Sequence, residues 1–323
     1  MSGLKILYSD RIEDLAAELK VRLLKERTAC DPFVSSQVVV PNTNIAKWLQ
    51  IRVFAKEQNL CAGIRFPFVE QRLTELMSAN LPEGTPFSLL PNHAYVNAIM
   101  AALLSPGKEE GRREFNALAP LRAYVSGDDG KDELKVNTQR QARMGWQLAM
   151  KMADLMDQYE VRRPEIVEKW LAGEVCAAQS EVEAAEAALA RMLWGKKGVF
   201  PPNGERLSLR QLYDRVKSAP PKGPKQAIYF FGHSTLSLLQ VKILVWLAQT
   251  HEVVFYHNNV CLEYWGDIET KEERIKRLGR AHAEEEDVSV ENALLRQWGV
   301  AGRETMRLLV QLEEENDGRI EFE

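Results

Sequence analysis

Short apolar runs and helically spaced apolar positions alternate along the first part of the chain. Leu4-Lys5-Ile6-Leu7-Tyr8 reads as a short strand. Asp10 and Glu13 then form a D-x-x-E capping pattern, and Ile12, Leu15, Ala16, Leu19 and Leu23 recur at helical spacing. A second strand, Val38-Val39-Val40, turns through Pro41-Asn42-Thr43-Asn44 into a helix with Ile45, Trp48, Leu49 and Val53 on one side. A third begins at Gly63-Ile64-Arg65-Phe66-Pro67. Strands that alternate with helices in this way predict parallel βα units joined by right-handed crossovers.

From about His93 to Trp194 the strand signals vanish and only helical spacing remains, best in the stripe Ala142, Trp146, Ala149, Ala153 and Met156. Ser105-Pro106-Gly107 and Ser126-Gly127-Asp128-Asp129-Gly130 break it into loops. Strands return after the Pro/Gly/Lys-rich stretch from Ser218 to Lys225: Ala227 to Phe231 reads as a buried strand, Leu236 to Leu247 as a helix and Glu252 to Tyr256 as another strand. The expected organisation is a discontinuous α/β domain with a parallel sheet over 1–90 and 195–323, interrupted by an all-helical subdomain over 91–194. Beyond the last strand lie a charged helix from Lys271 to Arg280, the acidic run Glu284 to Asp287, and a helix through Leu294, Leu295, Met306 and Leu309.

Composition narrows the function more than the fold. The chain has 323 residues, with 42 Lys+Arg against 46 Asp+Glu and a net charge of −4, which fits a globular protein of two packed units and excludes disorder as its main theme. There is no overall basic excess, so any nucleic-acid binding must rest on local features. Cys30, Cys61, Cys176 and Cys261 form no C-x-x-C pair. The first residues lack the pattern of a signal peptide, and no apolar run is long enough to span a bilayer. A cytoplasmic protein without membrane contact is expected.

Most familiar chemistries are poorly represented. The turn after the first strand is Ser9-Asp10-Arg11, with neither the glycines nor the Lys-Ser/Thr pair of a P-loop, and Asp10 would repel a phosphate there. Phe231-Gly232-His233-Ser234-Thr235 resembles a nucleophile elbow, but Leu236 replaces the second glycine; a serine hydrolase would use Ser234, with His257 or His282 as base and Asp267 as its orienter. His251 and His257 share a predicted strand and lie on the order of 20 Å apart, too far to share a metal.

Two constellations suit binding. The turn Pro41-Asn42-Thr43-Asn44, with Lys47 and Trp48, sets amide, hydroxyl and ammonium groups at the carboxyl end of a strand, where open α/β sheets hold ligands. Amides can bond base edges and an exposed aromatic can stack a base, although Trp48 also fits a core position. Asp154 and Asp157 share a helix face ahead of Arg163; such a pair can bind a metal, accept from cytosine amino groups or hold arginines in place. The cations Lys271, Arg274, Lys276, Arg277 and Arg280 read as a solvated helix face, with phosphate contact as the sharper alternative.

Five blocks in order resemble a known family. They are Val38 to Gln50; Gly63 to Phe68; Ala153-Asp154-Leu155-Met156-Asp157-Gln158-Tyr159 with Arg163-Pro164; Tyr264-Trp265-Gly266-Asp267-Ile268; and Asn292-Ala293-Leu294-Leu295-Arg296-Gln297-Trp298-Gly299 with Gly302-Arg303. Together they are similar to the N-terminal region of the gamma subunit of exodeoxyribonuclease V, the RecC family. The resemblance implies a RecA-like, superfamily 1 type helicase domain that lacks a P-loop and carries a helical insertion. It implies a non-catalytic subunit in double-strand break repair by recombination, with ATP and magnesium only in partner subunits. The implied partners are the beta and alpha subunits and single-stranded DNA from unwound duplex ends, scanned in some bacteria for a Chi sequence. The candidate DNA contacts are Asn42, Thr43, Asn44, Lys47, Phe68, Asp154, Asp157 and Arg163, with Trp48 as stacking group or core. The family pattern has glycine where Asn44 stands, proline at Ala293 and aspartate at Glu304, so the turn assigned to Chi differs here in backbone and side chain. Family members are much longer, and a fragment or partial gene product is expected. A protein-interaction module without DNA contact is the alternative alongside the hydrolase.

Overall fold

Short runs of successive apolar residues build the sheet, and a computed structural model describes the chain over residues 3–29, 35–55, 62–104, 116–126, 138–174, 180–223, 227–261, 265–278, 292–315 and 320–322. The chain divides into two units, Met1–Asn80 with Ala219–Glu323, and Leu81–Ser218. The first runs β1 (Gly3–Ser9), α1 (Ile12–Ala29), β2 (Ser36–Val39), α2 (Thr43–Trp48), a π-helix (Leu49–Phe54), β3 (Ile64–Arg65) and α3 (Val69–Ser78). The second contains β4 (Ser88–Leu89), α4 (Asn92–Leu104), α5 (Ala119–Ser126), α6 (Thr138–Arg162), α7 (Pro164–Ala172), α8 (Glu181–Trp194), β5 (Arg206–Leu207) and α9 (Leu209–Val216). The first then resumes with β6 (Ile228–Phe231), α10 (Leu238–Leu247), β7 (Glu252–Asn258), α11 (Lys271–Leu278), α12 (Ala293–Trp298), α13 (Val300–Glu315) and β8 (Ile320–Phe322).

The first unit holds a sheet in the order β3-β2-β6-β7-β1-β8, and its paired strands are parallel. Parallel strands covered on both faces need apolar residues at successive positions, and every residue of β6 is buried. On one face Leu7, Val38, Val40, Tyr229, Phe231, Val254 and Tyr256 pack with Leu15, Ala16, Leu19 and Leu23 of α1. Leu4, Ile6, Val39, Phe230 and Phe255, on alternate positions, are buried as well. The turn into α1 differs from the expected D-x-x-E cap. Ser9 Oγ accepts the Arg11 N–H at 3.1 Å and α1 starts only at Ile12, which leaves Asp10 one residue ahead of the cap position.

The second unit is wider than the 91–194 expected, because the pair β4–β5 and the helix α9 belong to it. Ser208 and Gln211 form a capping box at the start of α9. The inward stripe of α6 is Gly145, Ala149, Met152, Ala153, Met156 and Glu160, whereas Ala142 and Trp146 are exposed. The phase is set by Gly145, where an added Cβ would lie 3.5 Å from Leu104 and 3.6 Å from Val125. Glu160 ends this stripe as a buried carboxylate. It accepts from Tyr95 Oη at 3.0 Å, Ser208 Oγ at 2.7 Å and Arg210 Nε at 3.1 Å, while Arg210 Nη1 reaches Asp214 at 2.8 Å. Burial pushes the Glu160 carboxyl up, and Arg210 and these hydrogen bonds oppose the shift.

The basic helix is not a uniformly solvated face. Arg274 is buried, and Arg277 grips Glu269 with Nε and Nη2 at 2.9 and 2.8 Å. Cys30, Cys61, Cys176, Tyr264, Arg280, His282, the run Glu284 to Asp287, and loop residues 105–107 and 127–130 lie outside the described residues.

Two predictions follow from the buried polar groups. Arg210→Ala strands the Glu160 carboxylate in a dry site and is expected to cost about 3–5 kcal/mol in urea unfolding, with a smaller loss for the double change Glu160→Leu/Arg210→Met. A double change that costs the sum of the two single changes would show that the pair is not coupled. In the first unit His233, Phe255 and His257 stack in succession, with centroids 6.5 and 5.9 Å apart. Desolvation pulls both histidines down to about 4, with a backbone hydrogen bond to Val39 partly opposing it for His233. The unfolded chain then takes up protons below the ordinary value near 6.5 while the folded one does not, so stability falls as pH drops from about 6.5 toward 4. Neither ring nitrogen of His257 has a hydrogen-bond partner. His257→Phe is therefore expected to lose less stability than the parent over that window in chemical unfolding, and parallel pH profiles would refute the assignment.

Candidate nucleic-acid interface

The turn after β2 is organised by its own first side chain. Asn42 Oδ1 accepts the N–H groups of Asn44 at 3.0 Å and Ile45 at 3.1 Å and so caps α2. That use of Oδ1 makes Asn42 a positioning group, and it leaves Thr43, Asn44 and Lys47 on the exposed side of the helix start. Trp48 is half-buried, with its ring stacked on Phe231 at 6.2 Å, so it packs beneath the turn. The helix then widens: the Ala55 N–H bonds Gln50 O at 3.0 Å, the i−5 pattern of a π-helix.

Two neighbours complete this edge of the sheet. Val40 bridges Phe68 in parallel, and its N–H reaches Pro67 O at 3.1 Å. Phe68, 44% exposed, therefore stands beside the Pro41–Asn44 turn at the start of α3. From the other side comes the turn after β6, whose Gly232 has φ of 75°. A Cβ there would stand 3.2 Å from Ile45 Cγ2, and His233 Nε2 donates to Val39 O at 3.2 Å. The sequence reading missed both of these, although a glycine ending a buried strand was the available signal.

The hydrolase geometry differs from an elbow. The left-handed residue is Gly232, and α10 does not begin until Leu238, capped by Ser237 with Gln240. Ser234 is exposed, and its carbonyl accepts from Thr305 Oγ1 at 3.4 Å. His257 is buried in β7, and His282 lies outside the described residues.

In the second unit Asp154 and Asp157 occupy the outer side of α6. Asp154 Oδ1 accepts from Asn92 Nδ2 at 2.7 Å. The Asp157 carboxyl is held above its ordinary value, first by desolvation and then by the charge of Asp154. Arg163 is exposed at the break between α6 and α7, where Pro164 starts the next helix. Among the described residues, no three or more His, Cys, Asp or Glu are grouped to hold a metal ion, and no helix is long and apolar enough to cross a membrane.

The family model for the RecC N-terminal domain matches residues 4–321. The chain is 26% identical to the RecBCD enzyme subunit RecC of Haemophilus influenzae over 359 residues, which is 96% of this chain and 30% of that protein. It is 27% identical to the Escherichia coli K12 RecBCD enzyme subunit RecC over 336 residues, 96% of this chain and 28% of that protein. The corresponding subunit of Mycolicibacterium smegmatis is 24% identical over 311 residues, 96% of this chain and 26% of that one. The chain thus spans less than a third of the length of these curated relatives. A family match over nearly its whole length places it plainly: the chain belongs to the RecC N-terminal domain family.

Proposed function

We propose that this chain is the non-catalytic, strand-guiding and scaffold portion of a RecC-type subunit, acting with the beta and alpha subunits of a RecBCD helicase and nuclease complex in recombinational repair of double-strand breaks. Its ligand is single-stranded DNA released by unwinding, and in this reading ATP and magnesium act in the partner subunits. The fold is α/β with a parallel sheet, and its first turn, Ser9-Asp10-Arg11, which offers a phosphate neither glycines nor a lysine, supports reading it as a helicase-like domain without an ATP site. The observation that carries the proposal is the Val40–Phe68 bridge, which sets an exposed ring beside a capped turn bearing a hydroxyl, an amide and a nearby ammonium. A ring for stacking and a cation for phosphate are the two elements of single-strand recognition. Asp154, Asp157 and Arg163 form the second contact group. Scanning for a Chi-like sequence is the finer form of the proposal.

A second reading, a protein-interaction module without DNA contact, is favoured by the outward side of α12, where Leu294 and Trp298 are exposed. The hydrolase reading has no such support.

Fluorescence anisotropy with single-stranded oligonucleotides over a salt series separates these. Lys47→Ala is expected to shallow the salt dependence by about 0.7 in log–log slope, and Phe68→Ala to weaken binding by about 1–3 kcal/mol with little sequence preference. Asn42→Ala is expected to lose about 1 kcal/mol of stability together with binding, while Asn42→Asp keeps the cap. If binding by the chain and by the assembled complex is unchanged after Thr43→Ala, Lys47→Ala and Phe68→Ala, the strand-guiding reading is wrong.

A further inference from the structure

The exposed side of α6 carries a feature that the Asn42 turn and the aspartate pair leave unused. While Gly145, Ala149, Met152 and Met156 face inward, Trp146 and Met150, one turn apart, are each 46% exposed. A tryptophan is usually among the well-buried side chains, so an exposed one backed by a methionine marks a surface with a ligand to cover it. On the amino-terminal half of the helix the described charges have one sign. From Thr138 to Ala153 the helix holds Arg140, Arg143 and Lys151 and no Asp or Glu, in a chain whose net charge is −4. Arg143 and Lys151 are both exposed, Arg143 about 60° and Lys151 about 140° round the helix from Trp146 in the same sense. Val125 packs at Gly145, which brings α5 beside this segment, and the adjoining Tyr124 is exposed as well.

Helix geometry ties the feature to the candidate interface. At about 100° per residue, Asp157 returns to within about 20° of the line of Trp146, and at 1.5 Å per residue it lies about 16 Å further along. Trp146, Met150, Asp154 and Asp157 therefore lie along one side of the helix, an apolar, cation-flanked end running into a carboxylate end.

From this we infer that the Arg143–Lys151 face of α6 is a base-stacking platform for single-stranded nucleic acid, with a base on Trp146 and phosphates on Arg143 and Lys151. An exposed aromatic ring with Arg143 less than one turn away, on the half of the helix whose described residues carry cations and no carboxylate, suits a polyanion that presents flat apolar rings, with Asp154 and Asp157 marking where that half ends. The inference rests on the proposed DNA-guiding role but assigns a contact outside the residues already named.

The test uses the 323-residue chain and fluorescein-labelled oligodeoxythymidylate. Trp146→Ala is expected to weaken binding by about 5- to 100-fold, with most of the affinity kept by Trp146→Phe. Arg143→Ala and Lys151→Ala are each expected to shallow the salt slope by about 0.7. All three side chains are outside the core stripe, so unfolding midpoints should stay at the parent value and separate lost contact from lost fold. Photocrosslinking with bromodeoxyuridine oligonucleotides should label the peptide containing Trp146. If Thr43→Ala and Lys47→Ala weaken binding while Trp146→Ala does not, the platform is overturned and the guiding role stands. If none of these variants weakens binding, the guiding role itself fails. If Trp146→Ala abolishes co-purification with the partner subunits and no crosslink forms, the face belongs to a protein contact and the inference is wrong.

Discussion

Val38 and Val39 pair with Tyr229 and Phe230, although the whole second unit lies between them in the chain. A parallel pair of this kind has no hairpin to set its register, and a slip of one residue would turn every side chain to the wrong face. The register is held instead by contacts at both ends of the strands. At the carboxyl end His233 donates to Val39 O and Gly232 lets the chain pass close to Ile45. At the other end the outgoing and returning chains meet where the Lys222 N–H bonds Asn80 Oδ1 at 2.6 Å. Trp246 and Thr250 hold the returning segment through Ala219 O and Pro221 O. Because closure entropy grows only slowly with the length enclosed, an insertion as large as Leu81–Ser218 costs little more than a short one once its ends are fixed. The candidate turn at Asn42 inherits its position from this same pairing.

Elements whose burial is set by their own period were legible. Val38 to Val40, Ile228 to Phe231 and the α1 stripe are continuous or helically spaced apolar runs, and each lies where the pattern puts it. Elements that depend on a distant partner were not. The two-residue strands β4 and β5 exist only through each other. Glu160 looks like a polar interruption until Arg210, Ser208 and Tyr95 surround it. Trp146 was assigned to the core because a 3.6-residue period fits it almost as well as Gly145, and only the approach of Leu104 and Val125 decides between the two. In the candidate site, the residue types at Asn42, Thr43, Asn44 and Lys47 were legible as polar groups at a strand end. Their division of labour was not, since an asparagine that caps and one that contacts a ligand look the same in a sequence.

The blocks that carried the family resemblance do different work in the structure. Trp265 is buried, donates from Nε1 to Asn259 Oδ1 at 2.8 Å, and lies against the α12–α13 junction. A Cβ at Gly299 would stand 2.5 Å from its ring and 2.4 Å from Leu295 O, which leaves no room for a side chain, and one at Gly302 would press on the indole at 3.2 Å. Asn292 caps α12, and the fully buried Arg303 binds Ile268 O and both oxygens of Glu273. These blocks build the sheet's surroundings, and a change there would be felt as lost packing. The Pro41–Asn44 turn faces solvent, so changes at its Thr43 and Asn44 leave the core intact. Asn44 is exposed. A side chain there sits next to the capped helix start without altering the cap, which Asn42 supplies from Oδ1. The turn can therefore vary in what it presents while the pairing beneath it holds its position, the arrangement expected of a recognition surface carried on a rigid scaffold.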